Sequence, residues 1–106
     1  MQILNLTKNP IKLRANNEVI VFNPSKQLSF IEMIKIGQEV IDFSDRELEV
    51  SIFESQCNLP KPIDDVLFLT ERKVAEYWAG ERDDLIFAYE FDKTTEQYSK
   101  LGRFEE

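Results

Sequence analysis

Val66-Leu67-Phe68-Leu69-Thr70-Glu71-Arg72-Lys73-Val74-Ala75-Glu76-Tyr77-Trp78-Ala79-Gly80 decides how the chain is read. The first four residues are an unbroken apolar run, the pattern of a strand covered on both faces. Thr70 stands where a helix N-cap belongs, and Glu71 falls in the first turn, where the helix dipole favours an acid. Val74, Tyr77 and Trp78 then share one helical stripe flanked by Ala75 and Ala79, and Gly80 is the expected left-handed stop. A buried strand running into one principal helix over about residues 70–80 is therefore the centre of the fold.

Strands are expected on both sides of it. Upstream, 2–6, 11–14 and 18–22 read as strands, with Asn16 and Asn17 closing a hairpin between the last two. Residues 38–43 and 48–53 read as two more, joined by the polar turn Ser44-Asp45-Arg46-Glu47. Leu48, Val50 and Ile52 alternating with Glu49 and Ser51 form the clearest period of two in the chain. Between them, 28–36 fits a strand in part, with Ser29, Glu32 and Lys35 as solvent positions. A helix burying Phe30, Met33, Ile34 and Gly37 on one side is the alternative. Leu59-Pro60-Lys61-Pro62 is an extended connector, because two prolines remove ladder donors. Downstream, 85–91 and 97–104 form a hairpin across the turn at Asp92. The expectation is a single small α+β domain: one curved, mainly antiparallel sheet with one principal helix.

Composition narrows the chemistry. Twenty acidic residues against thirteen basic give a net charge of −7 over 106 residues, which disfavours non-specific binding to nucleic acid or an anionic membrane. No apolar run is long enough to span a bilayer. A folded chain of this mass should expose roughly 6,000 Å², enough for one modest core. With no histidine, the Ser-His-Asp and Cys-His mechanisms and His-ligated metals are excluded. The single Cys57 can form neither an intrachain disulfide nor a thiolate metal site, and suits a reducing cytosol. The N-terminal residues lack the pattern of a secretory signal. The three glycines, Gly37, Gly80 and Gly102, are too far apart for a phosphate-cradling loop. No cofactor, metal or catalytic residue is expected.

Several groups of residues carry two readings each. Arg82-Asp83-Asp84 is either a loop whose acids pair with the arginine, or a fixed guanidinium offered to phosphate or carboxylate. Asn5, Thr7 and Asn9 either cap a turn or hydrogen-bond a base or ribose. Thr70, Arg72 and Lys73 are a helix cap with solvated bases, or the best local positive patch in an acidic chain. Tyr77 and Trp78 belong to the core or stack on a base, and Tyr89 and Tyr98 are equally ambiguous. The clusters Asp42-Asp45-Glu47-Glu49, Asp64-Asp65 and Glu105-Glu106 are solvated surface, a mimic of DNA, or, if two carboxylates meet in a cleft, Mg²⁺ ligands.

The motifs resemble a family of small proteins encoded by bacteriophages and prophages. Its members open with a strand followed by Asn-Leu-Thr-Pro-His and an apolar pair. Here Asn5-Leu6-Thr7-Lys8-Asn9-Pro10-Ile11 stands in that place, with Lys8 and Asn9 replacing the proline and histidine. The Leu-Pro-x-Pro connector corresponds to 59–62, the helical Val-Ala to Val74-Ala75, and Arg-x-Asp-Leu to Arg82-Asp83-Asp84-Leu85. The similarity covers both ends of the chain and not residues 24–55. It implies a phage accessory protein, acting in the cytoplasm of an infected bacterium against host defence. The first expectation is a non-enzymatic binder that sequesters a nucleotide-type immune signal through Arg82, Asp83, Arg72, Lys73, Thr70, Asn5, Thr7 and Trp78. Such a binder is expected to enclose its ligand as a homo-oligomer. The alternative is an acidic inhibitor of a host defence or nucleic-acid-binding protein. A small carboxylate-dependent hydrolase is the third class.

Overall fold

The computed structural model describes residues 1–29 and 31–105. Eight strands and one short helix follow in the order β1 (Gln2–Asn5), β2 (Ile11–Ala15), β3 (Glu18–Phe22), β4 (Ile31–Phe43), β5 (Arg46–Cys57), β6 (Val66–Leu69), α1 (Arg72–Tyr77), β7 (Leu85–Asp92) and β8 (Gln97–Gly102). The α+β expectation holds in outline, with strands dominating and the helix minor. Two features differ from it.

The body is a six-stranded sheet in the order β1-β6-β7-β8-β2-β3, and it is mixed rather than mainly antiparallel. β1 pairs parallel with β6, β6 with β7, and β2 with β8; only β7–β8 and β2–β3 are antiparallel. The physical reason lies in the segment that opened the reading. An all-apolar strand followed by a helix is one arm of a β-α-β crossover, which returns the chain parallel to itself. Phe68 and Leu69, both fully buried, sit on β6, flanked by β1 and β7. Leu6, Val66, Phe68, Ala75, Leu85 and Phe87 make the core, with Leu4, Leu59, Trp78 and Phe104 closing its edges.

The helix is shorter than the 70–80 expected from its stripe. Its N-cap is Glu71, without a side-chain cap bond, and it ends at Tyr77. Thr70 instead follows the end of β6, its N–H bonded to Ile86 O at 2.9 Å. Gly80 has φ of 83°, so it does take the left-handed conformation, two residues past the C-cap Trp78. Replacing Gly80 with Ala is expected to cost about 1–2 kcal/mol, because a Cβ is strained in that region. The check is a lower urea midpoint at unchanged m-value.

The second difference is larger. Residues 31–57 are not separate strands of one sheet but a single long hairpin, β4–β5, paired from Ile31–Cys57 to Phe43–Arg46. The strand reading of 28–36 therefore holds from Ile31 onward, while Phe30 lies outside the described residues. Ser44 and Asp45 both have positive φ (50° and 62°), as do Asn16 and Asn17 in the β2–β3 turn. These are two-residue primed turns, the type whose twist matches antiparallel strands. No residue of β4 or β5 is buried. Ser29, read as a solvent position, is buried, whereas Glu32 and Lys35 are exposed.

The hairpin gives the molecule an elongated outline, 63 × 36 × 28 Å. The radius of gyration is 18.4 Å, against about 13 Å for a compact chain of this length. The accessible surface is 8104 Å² rather than the roughly 6,000 Å² expected. Among the described residues no helix is long and apolar enough to cross a membrane.

Candidate functional site

A cleft of about 660 Å³ opens where the carboxyl ends of β1 and β6 meet β2, β7 and β8. The β1–β2 loop contributes Thr7, Lys8, Asn9 and Pro10, and β2 adds Ile11 and Lys12. Thr70, Glu71 and Arg72 come from the end of β6 and the start of α1. Ala88, Phe91, Glu96 and Tyr98 close the far wall. Parallel strands commonly place a ligand there, because the loops leaving their carboxyl ends are free to diverge around it.

Asn5 builds the near wall from beneath. Its side-chain amide donates to Asn9 O at 2.9 Å and to Phe22 O at 2.8 Å. Its side-chain carbonyl accepts from the Thr7 backbone N–H at 2.8 Å and from the Thr7 hydroxyl at 2.7 Å. Asn5 is 1% exposed, so these bonds are sheltered from water. They hold the 7–9 loop in one conformation and fix where Lys8 leaves it. Asn5 is thus a scaffold for the cleft and does not line it.

The cleft is basic in a chain that is acidic overall. Lys8, Lys12 and Arg72 face Glu71 and Glu96. Lys73 lies 3.3 Å from Glu71 and offsets part of its charge. Neither Lys8, Lys12 nor Arg72 forms an ion pair among the described residues. The Arg72 guanidinium lies 5.9 Å from the ring centroids of both Phe87 and Phe104, which restrains it without using its donors on a carboxylate. Opposite, Phe91 and Tyr98 stand 4.9 Å apart, with Phe91 half exposed. Lys8 and Lys12, with Arg72 restrained over Phe87 and Phe104, lie beside the exposed Phe91 and the half-buried Tyr98, a combination that suits a ligand with negative charge at one end and a flat ring at the other.

The residues singled out from sequence scatter over the molecule. Thr7, Thr70 and Arg72 line this cleft. Lys73 lines an adjoining depression of about 500 Å³ that shares Lys8 and Glu71 with it. Arg82 and Asp83 line a separate one of about 410 Å³, with Arg103 and Phe104. There the Arg82 guanidinium is already held by Asp84, through two parallel bonds of 2.8 Å. Trp78 packs against the core, its ring edge-on to Tyr77 at 5.4 Å. Lys12 and Phe91 are not among the sequence candidates, and Tyr98 is open there between core and base stacking. Lys12 reads as the polar member of an alternating strand, and only the β2–β8 pairing, Leu13 beside Tyr98, brings it to the aromatic wall.

Among the described residues no three of His, Cys, Asp and Glu converge as a metal set. Comparison with protein-family models, with curated proteins and with solved structures returns no match.

Proposed function

We propose that this chain is a non-catalytic binder of a nucleotide-type anion, held in the cleft at the carboxyl ends of β1 and β6. The observation that carries this reading is the meeting of Lys8, Lys12 and Arg72, without ion pairs among the described residues, with the Phe91–Tyr98 wall. The cations hold phosphate, the rings take the base, and the Thr7 and Thr70 hydroxyls mark the floor between them. Together with the motif similarity to phage proteins, this favours an accessory protein that sequesters a nucleotide signal of host defence.

A thermal-shift panel of cyclic dinucleotides and ADP-ribose-type nucleotides tests the reading. At least one should raise the melting temperature. Lys12→Ala and Arg72→Ala should each weaken that ligand by about 10–100-fold, the loss of one charge-assisted contact at about 1.5–3 kcal/mol. A panel that leaves the melting temperature unmoved overturns the reading.

One observation favours the acidic-inhibitor reading as a second. Seven acidic and two basic residues between Ile31 and Cys57 give the hairpin −5 of the chain's −7. A basic groove of a nucleic-acid-binding protein would be its target. That binding should weaken steeply as salt is raised; persistence in high salt excludes it.

A further inference from the structure

The β4–β5 hairpin is long, exposed on both sides and sorted by polarity. The cross-strand register places Ile41 opposite Leu48, Glu39 opposite Val50 and Phe43 opposite Arg46 on one face of its outer half. Ile52, opposite Gly37, continues that face. The other face pairs Val40 with Glu49, Asp42 with Glu47 and Gln38 with Ser51. A register shift between Lys35 and Gly37 breaks the alternation, so the continuous apolar face is confined to the outer half.

Such a ribbon is not self-sufficient. A two-stranded hairpin alone in water is marginal at best, and stability normally requires a third strand or a packed face. Yet Phe43 is 64% exposed, Ile41 44% and Leu48 42%. Near the hairpin's base the Tyr77 hydroxyl donates to Ser55 O at 3.1 Å.

We propose that a second copy of this chain covers the outer apolar face, giving a two-fold symmetric dimer through the hairpins. Two observations select this occupant. The first is area. The molecule exposes 8104 Å², about 1,900 Å² more than a compact monomer of its mass. A stable interface removes about 800 Å² per partner, and the surplus, spread over both exposed faces of the hairpin, is larger than that. The second is charge. The apolar face carries one acid, Glu39, and one base, Arg46, so two copies meet there without net repulsion. An isologous arrangement permits each Glu39 to face the partner's Arg46. The acids Asp42, Glu47 and Glu49 all fall on the opposite face, where a basic protein would be drawn instead. The dimer does not depend on the cleft's ligand.

Sedimentation equilibrium of the full chain at micromolar concentration tests this. The wild type should show twice the 12.5 kDa chain mass. The double variant Ile41→Asp/Leu48→Asp should sediment as a single chain. Val40→Asp, on the opposite face, should remain a dimer. Phe43→Ser lies at an exposed tip that the chain's own folding does not use, and should raise the dimer dissociation constant at least tenfold. A wild type that sediments as a single chain overturns the proposal. So does self-association that Phe43→Ser leaves at full strength.

Discussion

Arg82→Ala should lower the unfolding free energy by about 3–5 kcal/mol, the cost of removing one partner from a buried ion pair. The side chains of Arg82 and Asp84 are only 13% and 12% exposed, and their bonds are bidentate. Without the guanidinium, the Asp84 carboxylate keeps its burial and loses its counter-charge. Asp84 also sits at a joint of the sheet, where its backbone carbonyl accepts from Phe68 N–H at 2.8 Å. Local disorder there would reach the centre of the core. The double variant Arg82→Ala/Asp84→Ala should be less destabilised than Arg82→Ala alone, since it leaves no orphaned charge. Urea denaturation of the four corners of this cycle measures the coupling. A fully stable Arg82→Ala chain would instead show that the guanidinium is available to a ligand.

The second large effect is expected at Asn5. Asn5→Ala removes four hydrogen bonds in a buried site; the Thr7 hydroxyl keeps Asn9 O at 3.0 Å, while the Phe22 carbonyl and the Thr7 backbone N–H lose their side-chain partner. At about 1–3 kcal/mol for each buried group left without a partner, and with some groups finding water, the expected loss is about 2–5 kcal/mol. Function should suffer beyond stability. Lys8 and Asn9 are held in place by this network, so a ligand of the cleft should bind more weakly to Asn5→Ala even at temperatures where the chain is folded. Thermal melts with and without ligand separate the two contributions.

These two residues also show what the sequence could and could not say. Both were open between a structural and a ligand-binding reading, and both serve the scaffold. For Arg82 the deciding fact is burial, which the short stretch Arg82-Asp83-Asp84 does not reveal. For Asn5 it is the approach of Phe22, seventeen residues away, whose carbonyl takes one of the amide protons. Strand positions, by contrast, were readable from local alternation and turn chemistry. The Asn16–Asn17 turn and the Val66–Leu69 strand fall where their residues place them. What local pattern could not supply was direction. Antiparallel neighbours are the default for short strands, yet the helix after Leu69 forces a parallel return. Nor does alternation tell a strand inside a sheet from one standing clear of it. The alternation of Leu48, Val50 and Ile52 points to a covered face, yet Leu48 and Ile52 are exposed and only Val50 is partly covered. The cleft was hidden for the same reason. Lys12, Phe91 and Tyr98 are far apart in sequence and come together through one parallel pairing, β2 with β8.

On the proposed reading the cleft holds a nucleotide and leaves it chemically unchanged. The most direct measurement incubates the chain with cyclic dinucleotides and ADP-ribose, removes free ligand, denatures the protein and identifies what is released by mass spectrometry. The expected result is an intact nucleotide in stoichiometric amount from the wild type, and none from Lys12→Ala/Arg72→Ala. Release of a cleaved product, or a wild type that retains no nucleotide, would contradict it.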